Sequence, residues 1–193
     1  VNNNQSLLNS FLIFRGNSRD IYLETKIESY EDLTVDKSSD KYEYIFPSYK
    51  FSKRLPSSFD GNYEIISSGN IKNYDTNIYE KVLINDLKYT SVPKINPNGL
   101  VNKFNLFFKN VTTEGDNSGE YSSDFRSQNF GSILYDISYP LKKEGNKYNN
   151  FLSGKASFMY SPNKNKNIKN LDRKINTKHI FNQNRLGLND SVE

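Results

Sequence analysis

Apolar and polar residues alternate along most of the chain, and residues 100–112 give the clearest case. Phe104, Leu106 and Phe108 alternate there with polar residues, although Phe107 interrupts the polar side. A period of two places successive side chains on opposite faces of a β-strand. The segment is therefore predicted to be a strand with one apolar and one polar face.

Seven further segments show the same period, and turn-forming residues such as Gly, Pro, Asn and Asp separate them. In the segment before the last, Ile133, Tyr135 and Ile137 share one face. A long polar loop is predicted at 113–129. The eight predicted strands are residues 7–14, 21–29, 41–53, 62–71, 78–90, 100–112, 130–141 and 151–161.

Pro47 interrupts the third predicted strand. Because proline has no N–H to donate to a neighbouring strand, a bulge or a weak pairing is expected there. Counting by twos along the segment places Tyr42, Tyr44 and Phe46 on one face and Tyr49 and Phe51 on the other.

Alternation alone fits a soluble β-sandwich as well as a membrane β-barrel. The barrel is favoured because the predicted strands reach about 13 residues, against about five or six in most soluble sheets, and because their polar faces suit a hydrated lumen. Tyrosines also crowd the strand ends, as in the aromatic girdles of membrane proteins. These are Tyr42, Tyr44, Tyr89, Tyr139 and Tyr160.

The predicted fold is therefore all-β: a sector of an antiparallel transmembrane β-barrel, with about eight meander strands over residues 1–193. The chain starts at Val1 without a signal-peptide pattern, so it is interpreted as an internal fragment of the barrel domain. The residues predicted to face lipid are Phe104, Leu106, Phe108, Ile133, Tyr135 and Ile137.

Composition narrows the function classes. The chain has 14 Tyr and 13 Phe, and its mean hydropathy of −0.78 reflects apolar residues interleaved with polar ones. No stretch approaches the roughly 20 apolar residues of a spanning helix. The net charge of +4 is scattered along the chain, whereas a nucleic-acid-binding protein concentrates its positive charge, so no nucleic-acid partner is predicted.

Candidate catalytic chemistry is sparse. The chain has no Cys and one histidine, His179, which is interpreted as a loop-packing residue. The sequence contains no Gly-x-Ser-x-Gly, dinucleotide-binding or Walker pattern. We therefore predict no catalytic residues, no metal ligands and no cofactor, and we expect the protein not to be an enzyme.

Several segments carry a family resemblance: residues 12–33 (LIFRGNSRDIYLETKIESYEDL), 38–53, 73–91 and the closing region. Tyr160-Ser161-Pro162 matches a strand-ending Tyr-x-Pro motif, while Gly154 stands where a Pro is expected. Residues 181–190 (FNQNRLGLND) are similar to a second motif built on Asn-Arg, Gly and Asp. Together these segments resemble the LPS-assembly protein family (LptD, the organic solvent tolerance protein).

The resemblance implies a place in the outer membrane of a Gram-negative bacterium, in the translocon that assembles lipopolysaccharide at the cell surface. The implied partners are lipopolysaccharide, outer-membrane lipid and an LptE-like plug lipoprotein. A periplasmic lipopolysaccharide bridge would be contacted only through an N-terminal domain outside this chain. Two alternatives stay open, a generic outer-membrane porin or receptor barrel and a secreted glycan-binding β-sandwich; an outer-membrane hydrolase is a more distant third.

The segment after the last predicted strand holds the candidate contact residues Lys164, Lys166, Arg173, Arg185 and Asp190. The lysines and Arg173 are read either as contacts to lipopolysaccharide phosphates, which Lys and Arg bind well, or as a solvated loop. Arg185 and Asp190 flank a Gly-containing turn and are predicted to pair and fix a loop directed into the lumen. Direct contact with a partner is the alternative role of Arg185.

The ordered-loop hypothesis predicts unequal effects for two substitutions. Arg185→Ala should impair assembly of the full-length protein or retention of its plug partner more than Lys166→Ala, because only Arg185 has a predicted ion-pair partner. Co-purification of the plug and the yield of folded barrel on a semi-native gel measure both effects. Equal and negligible effects would contradict the hypothesis.

Overall fold

The computed structural model describes residues 7–34, 42–55, 60–74 and 77–162. These residues form no helix, so no helix among them is long and apolar enough to cross a membrane. They form nine antiparallel strands in one sheet, which is not closed. The strands are β1 (Leu7–Asn17), β2 (Ile21–Asp32), β3 (Tyr42–Leu55), β4 (Gly61–Tyr74), β5 (Ile78–Ser91), β6 (Lys94–Ile95), β7 (Val101–Asp116), β8 (Arg126–Lys143) and β9 (Asn150–Tyr160).

The sheet is a meander in which each long strand pairs with the next along the chain, in the order β1-β2-β3-β4-β5-β7-β8-β9. β6 pairs with the start of β7 alone. We call the edge carrying the connection at 18–20 the turn end, and the edge carrying the connection at 117–125 the loop end. The all-β class, the meander and all eight long strands predicted from the sequence are confirmed.

The predicted polar loop at 113–129 is wrong at both ends. β7 continues to Asp116 and β8 begins at Arg126, so the connecting loop covers only residues 117–125. Polar side chains line this part of the ladder, and Thr112 donates a hydrogen bond to Ser127 across it at 3.2 Å. Hydrophobic alternation could not reveal a strand whose paired residues are polar on both sides.

A β-bulge at Phe46 and Pro47 sits in the middle of β3. The register shifts between Ile45 and Ser48 against β4, and the facing residues of β2 shift with it. Two residues of β3 there oppose one residue on each neighbour, which is the geometry of a bulge. The bulge predicted from Pro47 is confirmed.

The bulge corrects the predicted facing of β3. Tyr44 pairs with Asn73 and Tyr49 pairs with Gly69, four residues apart on β4, so Tyr44 and Tyr49 lie on the same face. Phe51, two residues beyond Tyr49, lies there as well. The sequence-based assignment of opposite faces was wrong because the extra residue in the bulge reverses the alternation.

The two faces of the sheet differ sharply in composition. We call the face that carries Phe104, Leu106 and Phe108 the apolar face; many of its large hydrophobic residues are exposed. The opposite, polar face carries most of the charged side chains of the strands. Residues directly opposite in an antiparallel pair share a face, so the registers extend both faces without interruption from β1 to β9.

A small hydrophobic cluster lies on the polar face. Phe107, Val111 and Phe130 are buried, and the partly buried Ile84 packs against them. The Phe107 and Phe130 rings meet edge to face with centroids 6.2 Å apart. Phe107, which broke the alternation in the sequence, is therefore a packing residue of this cluster.

Gly69 lies beneath an aromatic ring on the apolar face. A Cβ at Gly69 would stand 2.8 Å from Cε1 of Tyr49 and 3.0 Å from the backbone oxygen of Val82. The Tyr49 ring cannot move freely, because its hydroxyl is hydrogen-bonded to Ser67 at 2.9 Å. The glycine is required here for close approach.

We predict that Gly69→Ala lowers the free energy of unfolding by about 1–3 kcal/mol, the usual cost of overpacking. The matched control is Gly154→Ala on β9, where a Cβ would meet nothing within 4 Å. It should be neutral or stabilising by up to about 1 kcal/mol, because alanine has less backbone freedom to lose than glycine. Urea unfolding of the folded protein in detergent measures both, and equal values would contradict the packing argument.

Candidate functional site

The apolar face carries most of the exposed large hydrophobic residues in the described part of the protein. Its exposed residues come from both edge strands and from the strands between, and include Leu12, Phe14, Ile21, Ile27, Leu83, Leu87, Phe104, Leu106, Phe108, Ile133, Leu152 and Phe158. Monomeric soluble proteins rarely expose a contiguous apolar patch of this kind. The face is therefore a candidate contact surface for an apolar medium or partner.

Charged residues on the apolar face stay near the strand ends. By register, the charged strand residues of this face are Glu31, Lys53, Lys81, Glu114, Asp116 and Lys143. Lys81 and Glu114 pair with each other at 3.1 Å near the loop end. The middle of the face is left without a charged side chain in the strands that the structure describes.

The apolar residues form an oblique band across the strands. One row of register partners runs through Ile21, Lys53, Ile65, Leu87, Phe108 and Gly131. On β2 the apolar residues extend from this row toward the loop end, as far as Ile27. On β8 they extend from it toward the turn end, from Ile133 to Leu141. A level band therefore requires strands that are tilted, as they are in barrels.

The six residues predicted to face lipid all lie on this apolar face. Leu106 is the register partner of Ile133, and Phe104 is the partner of Tyr135. The Phe104 and Tyr135 rings stack with centroids 4.6 Å apart. Phe108 and Ile137 lie on the same face by the two-residue period. Their contact with lipid stays a prediction.

A row of polar side chains crosses the apolar face next to the Ile65–Leu87–Phe108 row, on its loop-end side. The Tyr49 hydroxyl and Ser67 Oγ lie 2.9 Å apart, and Ser67 donates to Asn85 Oδ1 at 2.7 Å. Asn85 donates to Asn110 at 3.4 Å, and Asn110 donates to Asn129 at 2.7 Å. These amides and hydroxyls satisfy one another across five strands. Sequence reasoning missed them, because their alignment depends on the register.

The polar face holds a buried ion pair beside the hydrophobic cluster. Lys109 is only 2% exposed, and its Nζ lies 3.3 Å from Asp86 Oδ1. The same ammonium lies 5.8 Å from the centre of the Phe107 ring. Asp86 is directly opposite Lys109 on β5. Two charges taken out of water are tolerated only because each offsets the other.

The 117–125 loop is fixed to the polar face by a buried carboxylate. Glu80 is 4% exposed and accepts hydrogen bonds from Tyr74 Oη at 3.0 Å and from Ser118 Oγ at 2.5 Å. The Gly115 N–H donates to Ser122 O at 2.9 Å. Tyr121 is buried above Gly115. Sequence reasoning placed an inward loop elsewhere and gave no role to this one.

The predicted contact residues lie outside the described residues. These are Lys164, Lys166, Arg173, Arg185 and Asp190, together with His179. Their roles stay predictions.

Comparisons with protein-family models, with curated proteins and with solved structures returned no match.

The buried ion pair makes a testable prediction. Lys109→Met should lower the free energy of unfolding by about 3–5 kcal/mol, because it leaves Asp86 charged and unpaired in a buried place. Adding Asp86→Leu should recover most of that loss, since both charges are then gone. Denaturant titration of the wild type, of Lys109→Met and of the double variant measures both changes in the free energy of unfolding.

The control for Lys109→Met is Lys142→Met, which removes an exposed ion pair in which Lys142 Nζ lies 2.5 Å from Glu144 Oε1. It should cost no more than about 1 kcal/mol. A Lys109→Met variant as stable as the Lys142→Met control would show that the buried pair does not support this part of the sheet.

Proposed function

We propose that the protein is a sector of an outer-membrane β-barrel wall, with the apolar face against lipid and the polar face toward the lumen. The exposed apolar band, free of charge in its middle, carries this proposal. Alternating apolar-out and polar-in residues are what a barrel in lipid requires. Because every backbone donor and acceptor in lipid needs a partner, the edges at β1 and β9 must both be paired in the complete barrel.

The height of the band supports this placement. On β8 it runs from Ile133 to Leu141, which is about 27 Å along a strand at roughly 3.4 Å per residue. Strands tilted by about 35–45° reduce this to roughly 20 Å along the membrane normal, close to the apolar height of about 25 Å of such barrels.

A glycan-binding β-sandwich is the less favoured alternative. A sandwich buries the apolar face of one sheet against a second sheet, and the two pack about 10 Å apart. All strands in the described part of this chain belong to one sheet, and many large residues of its apolar face are exposed. The polar face, by contrast, contains the buried cluster and the buried ion pair.

The barrel is further proposed to belong to the translocon that places lipopolysaccharide on the cell surface, with an LptE-like lipoprotein inside it. This step rests on the resemblance of the sequence segments to the LPS-assembly protein family. A general porin or receptor barrel would use the same wall, so the two functions need a test of transport itself.

Depletion of the full-length protein in its own cells separates these functions. Lipopolysaccharide export predicts that newly made lipopolysaccharide stops reaching the surface, measured with a cell-impermeant label, and accumulates in the inner membrane. A porin predicts normal surface lipopolysaccharide and slower uptake of small hydrophilic solutes. Normal surface labelling after depletion would rule out the export function.

If the apolar face contacts lipid, a charged side chain introduced on it should destabilise the barrel. Leu106→Arg should destabilise the assembled barrel by about 2–4 kcal/mol, the cost of Arg at the bilayer midplane. The neighbouring Asn105 faces the opposite side and donates to Asp136 at 3.0 Å. Asn105→Arg should assemble normally, because an arginine there meets a carboxylate instead of lipid.

Assembly is measured in the full-length protein by heat-modifiable migration on gels and by urea unfolding in vesicles. Equal stability of the Leu106→Arg and Asn105→Arg variants would show that the apolar face does not contact lipid.

A further inference from the structure

A cavity of about 400 Å³ lies between the 117–125 loop and the polar face. β2, β3, β4 and β5 form its wall, and Glu120 and Tyr121 of the loop form part of its lining. Its volume falls in the range of small-molecule sites, roughly 300–1,000 Å³. The loop that borders it is held to β5 by the hydrogen bond that Ser118 Oγ donates to Glu80.

The charges around this cavity are balanced. Lys50 and Lys72 face it, as do Glu24, Glu80 and Glu120. Glu24 is already neutralised by Arg15, whose Nε lies 2.6 Å from Glu24 Oε2. A ligand with several charges of one sign would therefore meet like charges on part of the wall, and the balance favours a ligand without net charge.

The remaining lining offers both hydrogen-bond donors and acceptors. Ser68 supplies a hydroxyl and Asn70 an amide, and each can donate as well as accept. Together with the lysine ammonium donors and the glutamate carboxylate acceptors, Ser68 and Asn70 match a ligand whose groups can each donate and accept a hydrogen bond. Sugar hydroxyls have this property, and hydrogen bonds to charged groups strengthen such contacts.

We propose that this cavity binds a neutral saccharide and that the 117–125 loop forms one side of the site. Lys50, Lys72 and Glu120 provide the charge-assisted hydrogen bonds, and Asn70 orients the ring. The site lies on the polar face, so it does not depend on contact between the apolar face and lipid, nor on lipopolysaccharide as the exported molecule.

A substitution at Gly115 would displace the loop without altering a charged residue of the cavity lining. A Cβ at Gly115 would lie 2.9 Å from the Cβ atoms of Ser118 and Tyr121 and 3.2 Å from the backbone oxygen of Tyr121. Gly115→Val therefore pushes the loop away from the sheet. At Gly119 a Cβ would meet nothing within 4 Å, so Gly119→Val is the matched control in the same loop.

The experiment measures binding of maltotriose to the folded full-length protein in detergent by saturation-transfer NMR and calorimetry. A trimer of galacturonate and a trimer of glucosamine are the anionic and cationic comparisons. Wild type and Gly119→Val should bind maltotriose equally and more tightly than either charged trimer. Gly115→Val should bind maltotriose about tenfold more weakly, the loss expected for one hydrogen bond to a charged group.

Lys72→Met tests the wall without moving the loop and should also weaken binding of maltotriose. Gly115→Val binding as tightly as wild type would overturn the proposed role of the loop. Absence of saturable maltotriose binding in wild type, or preference for a charged trimer, would overturn the neutral-saccharide site. None of these results bears on whether Leu106→Arg assembles in a membrane, so the two proposals fail separately.

Discussion

The antiparallel register is the constraint on which the rest of the structure depends. Each long strand pairs with the next over most of its length, so that residues directly opposite each other share one face across the whole sheet. A shift of one residue in any pair would move a strand's hydrophobic set to the opposite face. Both the apolar band and the cavity on the polar face require that this does not happen.

The polar face combines burial with charge in an unusual way. Lys109 and Val111 are neighbours of the same parity on β7, and both are almost completely buried. The apolar cluster and the ion pair are therefore buried side by side, although charged residues are usually found on the surface and apolar ones in the core. The cluster limits access of water to the Lys109–Asp86 pair, which strengthens the attraction between the charges and raises the cost of separating them.

Much of the fold follows from local pattern, and much of the site does not. The period of two identified the eight long strands, and Pro47 marked the bulge, because both are properties of neighbouring residues. The Asn85–Asn110–Asn129 row and the Glu80–Ser118 contact join residues distant in sequence. No local signal gives their alignment, which depends on register and on how the loop folds back. Phe107 did carry a signal, since an aromatic residue at a polar position of the alternation indicates packing on that face.

The bulge in β3 acts as a parity switch. Phe46 and Pro47 together take the place of one residue in the ladder. Before the bulge the even-numbered residues of β3, such as Tyr44, lie on the apolar face, and after it the odd-numbered residues, such as Tyr49, do. An insertion or deletion of a single residue would exchange the two faces in the remainder of a strand, whereas a change of two residues would preserve them. Relatives of this protein should therefore carry a one-residue insertion or deletion inside a strand only where a bulge is gained or lost.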